Sequence, residues 1–399
     1  MDDLEAELER VADREPVVRA WVARHGDDDL RRGHRSLPPG PLQGWSLGVK
    51  DVIDTADLPT QRGSPIYAGR TTRHDAACVA LARRAGALVT GKTATTEFAL
   101  FTPTVTTNPH DPKRTPGGSS SGSAAAVADR MVRAAFGTQT VGSVIRPAAF
   151  CGVVGFKPTH QLVPLTGVAT LVPSFDTVGW LTRSVIDASA MLTAMTGGAP
   201  AAEPPPRLRI GRYRSHQWHA AQPELAAVLD DAANRLTDAG ADVVDVDPLS
   251  HLDGVFEASE TVMAYELPRV LGWERQQHEE LISPLVRKML TRSDGVDIGG
   301  HQRAQRALAE ARRAHEHYLA ANSLDGLLTP SAPGEAPPIA TTGDSVFNRT
   351  WTSLGVPAVH LPTGAGPLGL PVGVQLTGRA WADDDLLAAA ARVEAMLAS

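Results

Sequence analysis

Cysteine is almost absent from this sequence: Cys78 and Cys151 are the two among 399 residues. They lie far apart in apolar surroundings, which excludes a disulfide framework and a cysteine-built zinc site and fits a reducing compartment. A basic excess is also missing, since 38 Lys and Arg face 45 Asp and Glu for a formal net charge of -7. Without surplus positive charge to neutralise phosphates, general binding to nucleic acid or to a membrane surface is excluded. The basic pairs Arg31-Arg32, Arg83-Arg84 and Arg312-Arg313 are interleaved with acids and read as solvated helix faces. No apolar run approaches a bilayer span. The opening residues, MDDLEAELERVADREP, are acidic and amphipathic, unlike a secretory or transit leader. A cytoplasmic protein is expected. Histidine is present 13 times, yet none lies near a serine turn or in a Ser/His/Asp context. Internal repeats and separating linkers are lacking too, so residues 1–399 are expected to form one domain.

Taken in order, residues 3–24 carry apolar residues at helical spacing (Leu4, Leu8, Val11, Val18, Trp21, Val22), broken by Pro16. Two short helices are expected there, within an N-terminal helical arm over 1–40. Residues 27–41 are polar and rich in Pro and Gly, a predicted loop. Residues 75–85 read as a helix stopped by Gly86, followed by a buried strand at 87–91. The same helix–glycine–strand order recurs at 223–246, around Gly240. Such alternation predicts an α/β fold with a large mixed, partly parallel twisted sheet flanked by helices. Residues 45–195 form the expected catalytic core, and 252–322 a charged helical cover without recognisable chemistry. Strand signals return at 327–330, 358–362 and 372–376. A last helix begins at Asp383, where three aspartates suit its positive end.

The chemistry concentrates in residues 116–159, PGGSSSGSAAAVADRMVRAAFGTQTVGSVIRPAAFCGVVGFKPT. A Gly-Gly-Ser-Ser-Ser-Gly-Ser run leads through a small-residue helix to a second serine turn, Thr140-Val141-Gly142-Ser143. Glycines beside serines allow close approach of N–H groups and hydroxyls to a substrate. Serine hydrolysis of an amide needs a nucleophile, a base and oxyanion donors. Ser143, at the tip of the second turn, is the candidate nucleophile. Lys50, the single lysine of the apolar segment 45–54, is the candidate base, because burial lowers a lysine pKa toward neutrality.

This serine-rich stretch, together with Gly48-Val49-Lys50-Asp51, resembles the amidase signature family of serine hydrolases. Further landmarks are Thr90-Gly91-Lys92-Thr93 leading to Glu97-Phe98-Ala99, the Thr107-Asn108-Pro109 turn, and Phe347 to Thr352 followed by Gly355-Val356-Pro357. The resemblance implies a Ser–Ser–Lys triad in which Lys50 acts through Ser119, held by a cis peptide, on the nucleophile Ser143. It implies oxyanion donors at the N–H groups of Thr140, Val141, Gly142 and Ser143. It implies an amidohydrolase that cleaves a carboxamide C–N bond through an acyl-enzyme, releasing ammonia or an amine and an acid. No cofactor or metal is expected. The partner expected is a small-molecule amide, and a homodimer is the assembly common among members.

Three residues are read as substrate-binding: Arg146, Gly118 and Ser120. Arg146 either meets a substrate carboxylate, favouring carboxylate-bearing amides over arylalkyl ones, or buttresses the turn. Val141 replaces a glycine usual in the family. If that position needs positive φ, the oxyanion turn is distorted and the chain is a degenerate amidase; otherwise φ stays negative. Gln139 stands where many members carry aspartate. An amidotransferase component, releasing ammonia from glutamine for a partner chain, shares the same triad. The segment 86–93 also satisfies the phosphate-loop pattern, but here the intervening residues read as a strand rather than an open loop.

Overall fold

A computed structural model describes residues 2–198, 207–292 and 295–398. Its centre is an 11-stranded mixed sheet with strand order β1-β3-β2-β4-β6-β5-β10-β11-β9-β7-β8. The strands are β1 (Trp21–Arg24), β2 (Ser46–Lys50), β3 (Leu88–Thr93), β4 (Ala134–Gln139), β5 (Val154–Lys157) and β6 (Thr177–Thr182). They continue as β7 (Arg209–Tyr213), β8 (Asp242–Val246), β9 (Gly326–Pro330), β10 (Ala358–Ala365) and β11 (Pro371–Thr377). Pairing is parallel within β3-β2-β4 and within β9-β7-β8. It is antiparallel from β4 through β6, β5, β10 and β11 to β9.

Both faces of the sheet are buried. Along β4, Ala134 and Phe136 face one core with the helices Ala77–Arg84, Val185–Thr196, Leu225–Asp238 and Asp383–Ala398. Ala135 between them faces the other core, with helices Asp2–Val18, Ser121–Ala128 and Ile145–Cys151. Burial on both sides explains why β2, β3, β4 and β6 read as runs of small and apolar residues without polar alternation. The helices Val255–Val270, Pro284–Arg292 and Ile298–Ala321 share a core with Phe98, Leu171, Phe175 and Trp351, and the short helix Gly272–Gln277 joins the first two. No helix among the described residues is long and apolar enough to cross a membrane.

The N-terminal segment departs from expectation twice. One helix, Asp2–Val18, contains Pro16, and Trp21–Arg24 is strand β1, paired antiparallel with β3. Pro16 forgoes a single bond to the Ala12 carbonyl two residues before the helix stops, so it interrupts nothing. Glu15 then accepts from the N–H groups of Ala20 and Trp21 and fixes the bend into β1. The predicted loop at 27–41 holds a helix, Asp27–His34, in which Leu30 is the buried residue. Its signal is charge rather than apolar period: three aspartates open it and Arg31, Arg32 and His34 close it, matching the helix dipole.

The phosphate-loop look-alike is fully buried strand at Leu88–Thr93. Lys92 Nζ donates to Ile53 O at 2.7 Å and Thr60 Oγ1 at 2.5 Å and lies 3.5 Å from Asp51. That ammonium is committed to the protein itself.

Candidate active site

Lys50 is the last residue of β2, which lies between β3 and β4 and is buried along its length. Its Nζ donates to Ser119 Oγ at 2.7 Å and to Thr138 Oγ1 at 2.8 Å. Burial holds its pKa well below the ordinary lysine value; Asp176 pulls it back up, and Arg146 adds to the depression. Neither nearby acid touches it: Asp51 faces Lys92, and Asp54 pairs with Arg70 at 2.7 Å. Thr138, on β4, comes to Lys50 because β2 and β4 are paired in parallel register.

Ser119 follows a cis Gly118–Ser119 peptide bond. The preceding Gly117 sits at φ +82, and a Cβ on it would come within 2.7 Å of Pro147 Cα, so no other residue suits that corner. Thr96 N–H donates to the Ser119 carbonyl at 3.3 Å. Ser120 ties this run to β4: Thr138 N–H donates to its Oγ at 3.3 Å, and its own N–H donates to Ser143 O at 3.4 Å. Lys50 and Ser119 are completely buried, whereas Ser143 keeps 7% of its surface exposed. Of the three, only Ser143 keeps any exposed surface.

The second serine turn leaves β4 at Thr140. Thr140 Oγ1 donates to Asp176 Oδ1 at 2.6 Å, Val141 O accepts from Thr352 Oγ1 at 2.8 Å, and Gly142 O accepts from Arg146 N–H at 2.9 Å. The N–H groups of all four residues expected as oxyanion donors, Thr140, Val141, Gly142 and Ser143, find no acceptor among the described residues. Val141 is not among the residues with positive φ, so its β-branch causes no strain and the turn is undistorted. Gly142 is the position that cannot carry a side chain: a Cβ would stand 2.5 Å from Asn348 Oδ1 and 2.8 Å from Ser345 Cβ.

Arg146, Gly118 and Ser120, read together as substrate-binding, are instead joined to one another and to the turn. Arg146 is 1% exposed. Its Nε and Nη2 donate to Gly118 O at 3.1 and 2.5 Å, and its Nη1 donates to Gly343 O at 2.7 Å. A planar fork suited to a carboxylate is here filled by two carbonyls, so Arg146 buttresses the serine turns. The Ser120 hydroxyl is likewise used within the protein.

Three contributors were given no role in the sequence reading, although Gln139 was noted there. Thr138 shares Lys50. Gln139 Oε1 accepts from the N–H groups of Val144 and Ile145 at 2.8 and 3.0 Å, so it caps the helix Ile145–Cys151 behind Ser143. Asp176 also accepts from the N–H groups of Leu171 and Val172, and burial raises its pKa to about 6. Gln139 could have been recognised, because an amide oxygen can take over a carboxylate's accepting role. Nothing local marks Thr138 or Asp176. No cluster of three or more metal-ligating side chains occurs among the described residues.

Comparison with known proteins agrees with this geometry. A sequence profile described as Amidase matches residues 8–387. A component of the glutamyl-tRNA(Gln) amidotransferase of Cereibacter sphaeroides is 32% identical over 90% of this chain and 84% of its own length. The native peptide amidase of Stenotrophomonas maltophilia superposes with a TM-score of 0.83 at 30% identity, covering 100% of this chain and 93% of its own. The 6-aminohexanoate cyclic dimer hydrolase, solved with its substrate, superposes with a TM-score of 0.88 at 26% identity over 99% of this chain and 93% of its own.

Proposed function

Because the chain belongs to the amidase signature family of serine hydrolases, we propose that it acts by itself on a small carboxamide, releasing ammonia or an amine and a carboxylic acid. The carrying observation is the 2.7 Å contact between the buried Lys50, whose pKa burial lowers, and Ser119, beside the slightly exposed Ser143. Neutral Lys50 takes a proton from Ser119 as Ser119 takes one from Ser143, and Ser143 Oγ bonds the carbonyl carbon. The unpaired N–H groups of Thr140, Val141, Gly142 and Ser143 are suited to the oxyanion. The C–N bond breaks as the nitrogen receives the proton held by the Lys50–Ser119 pair. Water then attacks the acyl-enzyme through the same relay and frees the acid.

With Arg146 committed to Gly118 and Gly343, nothing in this site speaks for a carboxylate beside the amide, and the arylalkyl reading gains. The amidotransferase reading draws on the 32% identity to the Cereibacter sphaeroides protein. Against it, the 6-aminohexanoate cyclic dimer hydrolase superposes at 0.88, above the 0.82 of the Thermotoga maritima amidotransferase component. The free, buried Cys78 and Cys151 suit a reducing compartment.

The test is a fluorophosphonate serine probe read by intact mass, beside an amide panel with ammonia detection. One adduct is expected on the wild type, none on Ser143→Ala, and slow labelling on Lys50→Ala. Turnover of simple amides by the purified chain is expected. Glutamine-restricted activity that appears only with a second protein would support the amidotransferase reading instead.

A further inference from the structure

The helix Val346–Ser353 is docked on the turn that carries Ser143. Thr352, near its end, donates through Oγ1 to Val141 O at 2.8 Å and accepts there from Gln139 Nε2 at 2.8 Å. Residues four apart on a helix share a face, so Asn348 meets the same turn one helical turn earlier. The approach is direct. A Cβ on Gly142 would stand 2.5 Å from Asn348 Oδ1 and 3.0 Å from Asn348 Cβ, so this side chain rests on the Gly142 backbone itself.

Asn348 is 1% exposed, and the two ends of its amide differ. Nδ2 donates to the carbonyl of Ser331, just past β9, at 2.9 Å, which fixes the sense of the amide and leaves Oδ1 beside Gly142. Oδ1 is buried and has no hydrogen-bond partner among the described residues. A buried acceptor without a donor is a standing cost in stability, and a ligand that brings the donor removes it. The opposite deficit lies next to it, in the N–H groups of Thr140, Val141, Gly142 and Ser143. Free donors and a free acceptor thus meet at one place. A carboxamide carries the complementary pair, a carbonyl oxygen that accepts and a nitrogen that donates.

We propose that Asn348 is a specificity-determining residue of the amidase, its Oδ1 accepting an N–H of the scissile amide while the substrate carbonyl oxygen meets the turn. The inference rests on the amidase reading and names the substrate class more narrowly: primary and secondary amides, not tertiary amides or esters. A nitrogen held through its N–H keeps its lone pair free for the proton that comes from the Lys50–Ser119 pair. An ester oxygen has no N–H to offer and sets its lone pairs against Oδ1. A dimethylated nitrogen places a methyl there and leaves Oδ1 unpaired.

The experiment measures kcat/KM for phenylacetamide, N-methylphenylacetamide, N,N-dimethylphenylacetamide and methyl phenylacetate, which share one acyl group, beside fluorophosphonate labelling of Ser143. Esters are intrinsically more reactive than amides, so the readout is the change in amide-to-ester ratio between wild type and variant. Asn348→Leu, close in volume but without an acceptor, should lower that ratio about tenfold for the primary and secondary amides, the scale of one hydrogen bond. The ratio of tertiary amide to ester should hardly move. Asn348→Asp keeps an oxygen in place of Oδ1 and should preserve the primary-amide ratio even where its charge slows every substrate. Unfolding midpoints show that the variants fold, and Asn348→Ala gives the same test if the leucine variant does not. A merely structural Asn348 would slow amide and ester alike. That result, an equal fall of the ratio in Asn348→Asp, or labelling of Ser143 without hydrolysis of phenylacetamide overturns the role of Asn348 alone. Absence of both labelling and hydrolysis of all four compounds overturns the amidase reading and this inference with it.

Discussion

At the scale of single residues, the candidate site depends on keeping a lysine free of its proton. Lys50 has no carboxylate in contact, and burial disfavours its ammonium form; Asp176 is the main charge acting in the opposite direction. Activity should therefore fall as pH falls and Lys50 takes up a proton. Asp176→Asn removes the charge that favours the ammonium, so Lys50 should protonate at lower pH. The acid limb of the kcat/KM profile is then expected to move to lower pH, and an upward move would contradict this electrostatic account. Val141 offers a second residue-scale test. Since its φ is not positive, Val141→Gly should leave kcat within about threefold while lowering stability by about 2 kcal/mol or more, through lost burial of the isopropyl group together with a looser unfolded chain. Urea unfolding and amide turnover measure the two effects, and a large gain in kcat would mean that the valine obstructs the turn.

At the scale of elements, the parallel strands β2 and β4 deliver Lys50 and Thr138 to the same end of the sheet, where such strands commonly present a site. Buried lysines recur at strand ends: Lys92 in β3 has its pKa lowered to about 8 by burial, and Lys157, the last residue of β5, to about 7. Lys157 Nζ donates to Pro158 O at 2.7 Å and is completely buried. Its folded pKa is depressed, so the unfolded chain binds the extra proton between about 7 and the ordinary 10.5. The stability it contributes is complete above the ordinary value and is lost as pH falls toward about 7. Thermal unfolding followed from pH 10 down to 7 should show a falling midpoint, and Lys157→Met should flatten the slope nearest neutrality. An identical slope in the variant would exclude Lys157 as its source.

At the scale of the whole molecule, the N-terminal arm and the serine-rich stretch depend on each other. Val11, Val18 and Ala20 share a core with Ala124, Ala125 and Val127 of the helix that follows Ser119. Arg10 and Arg14 both bind Asp129 just past that helix, and β1 covers the edge of β3. Deleting the residues up to Arg24 would bare an apolar face and leave a β3 edge unpaired. The truncated chain is expected to bind a hydrophobic dye and unfold at lower temperature, with Ser143 labelling lost. Retained labelling and an unchanged midpoint would mean that the arm is dispensable.

Sequence by itself determined the α/β class and the serine and lysine residues of the candidate site, because burial, turn chemistry and a dense motif each leave a local mark. The lone lysine of 45–54 and the glycine-flanked serines were legible for that reason. It could not place Arg146, since an arginine filled by carbonyls and one open to a carboxylate are the same letters in a chain. It misread the residues before Arg35, where charge placement and an edge pairing outweighed apolar period and a proline. The contacts of Lys50 with Thr138 and of Asp176 with Thr140 join residues far apart in sequence. Only the tertiary structure decided them, because they arise from strand register and packing rather than from any local preference.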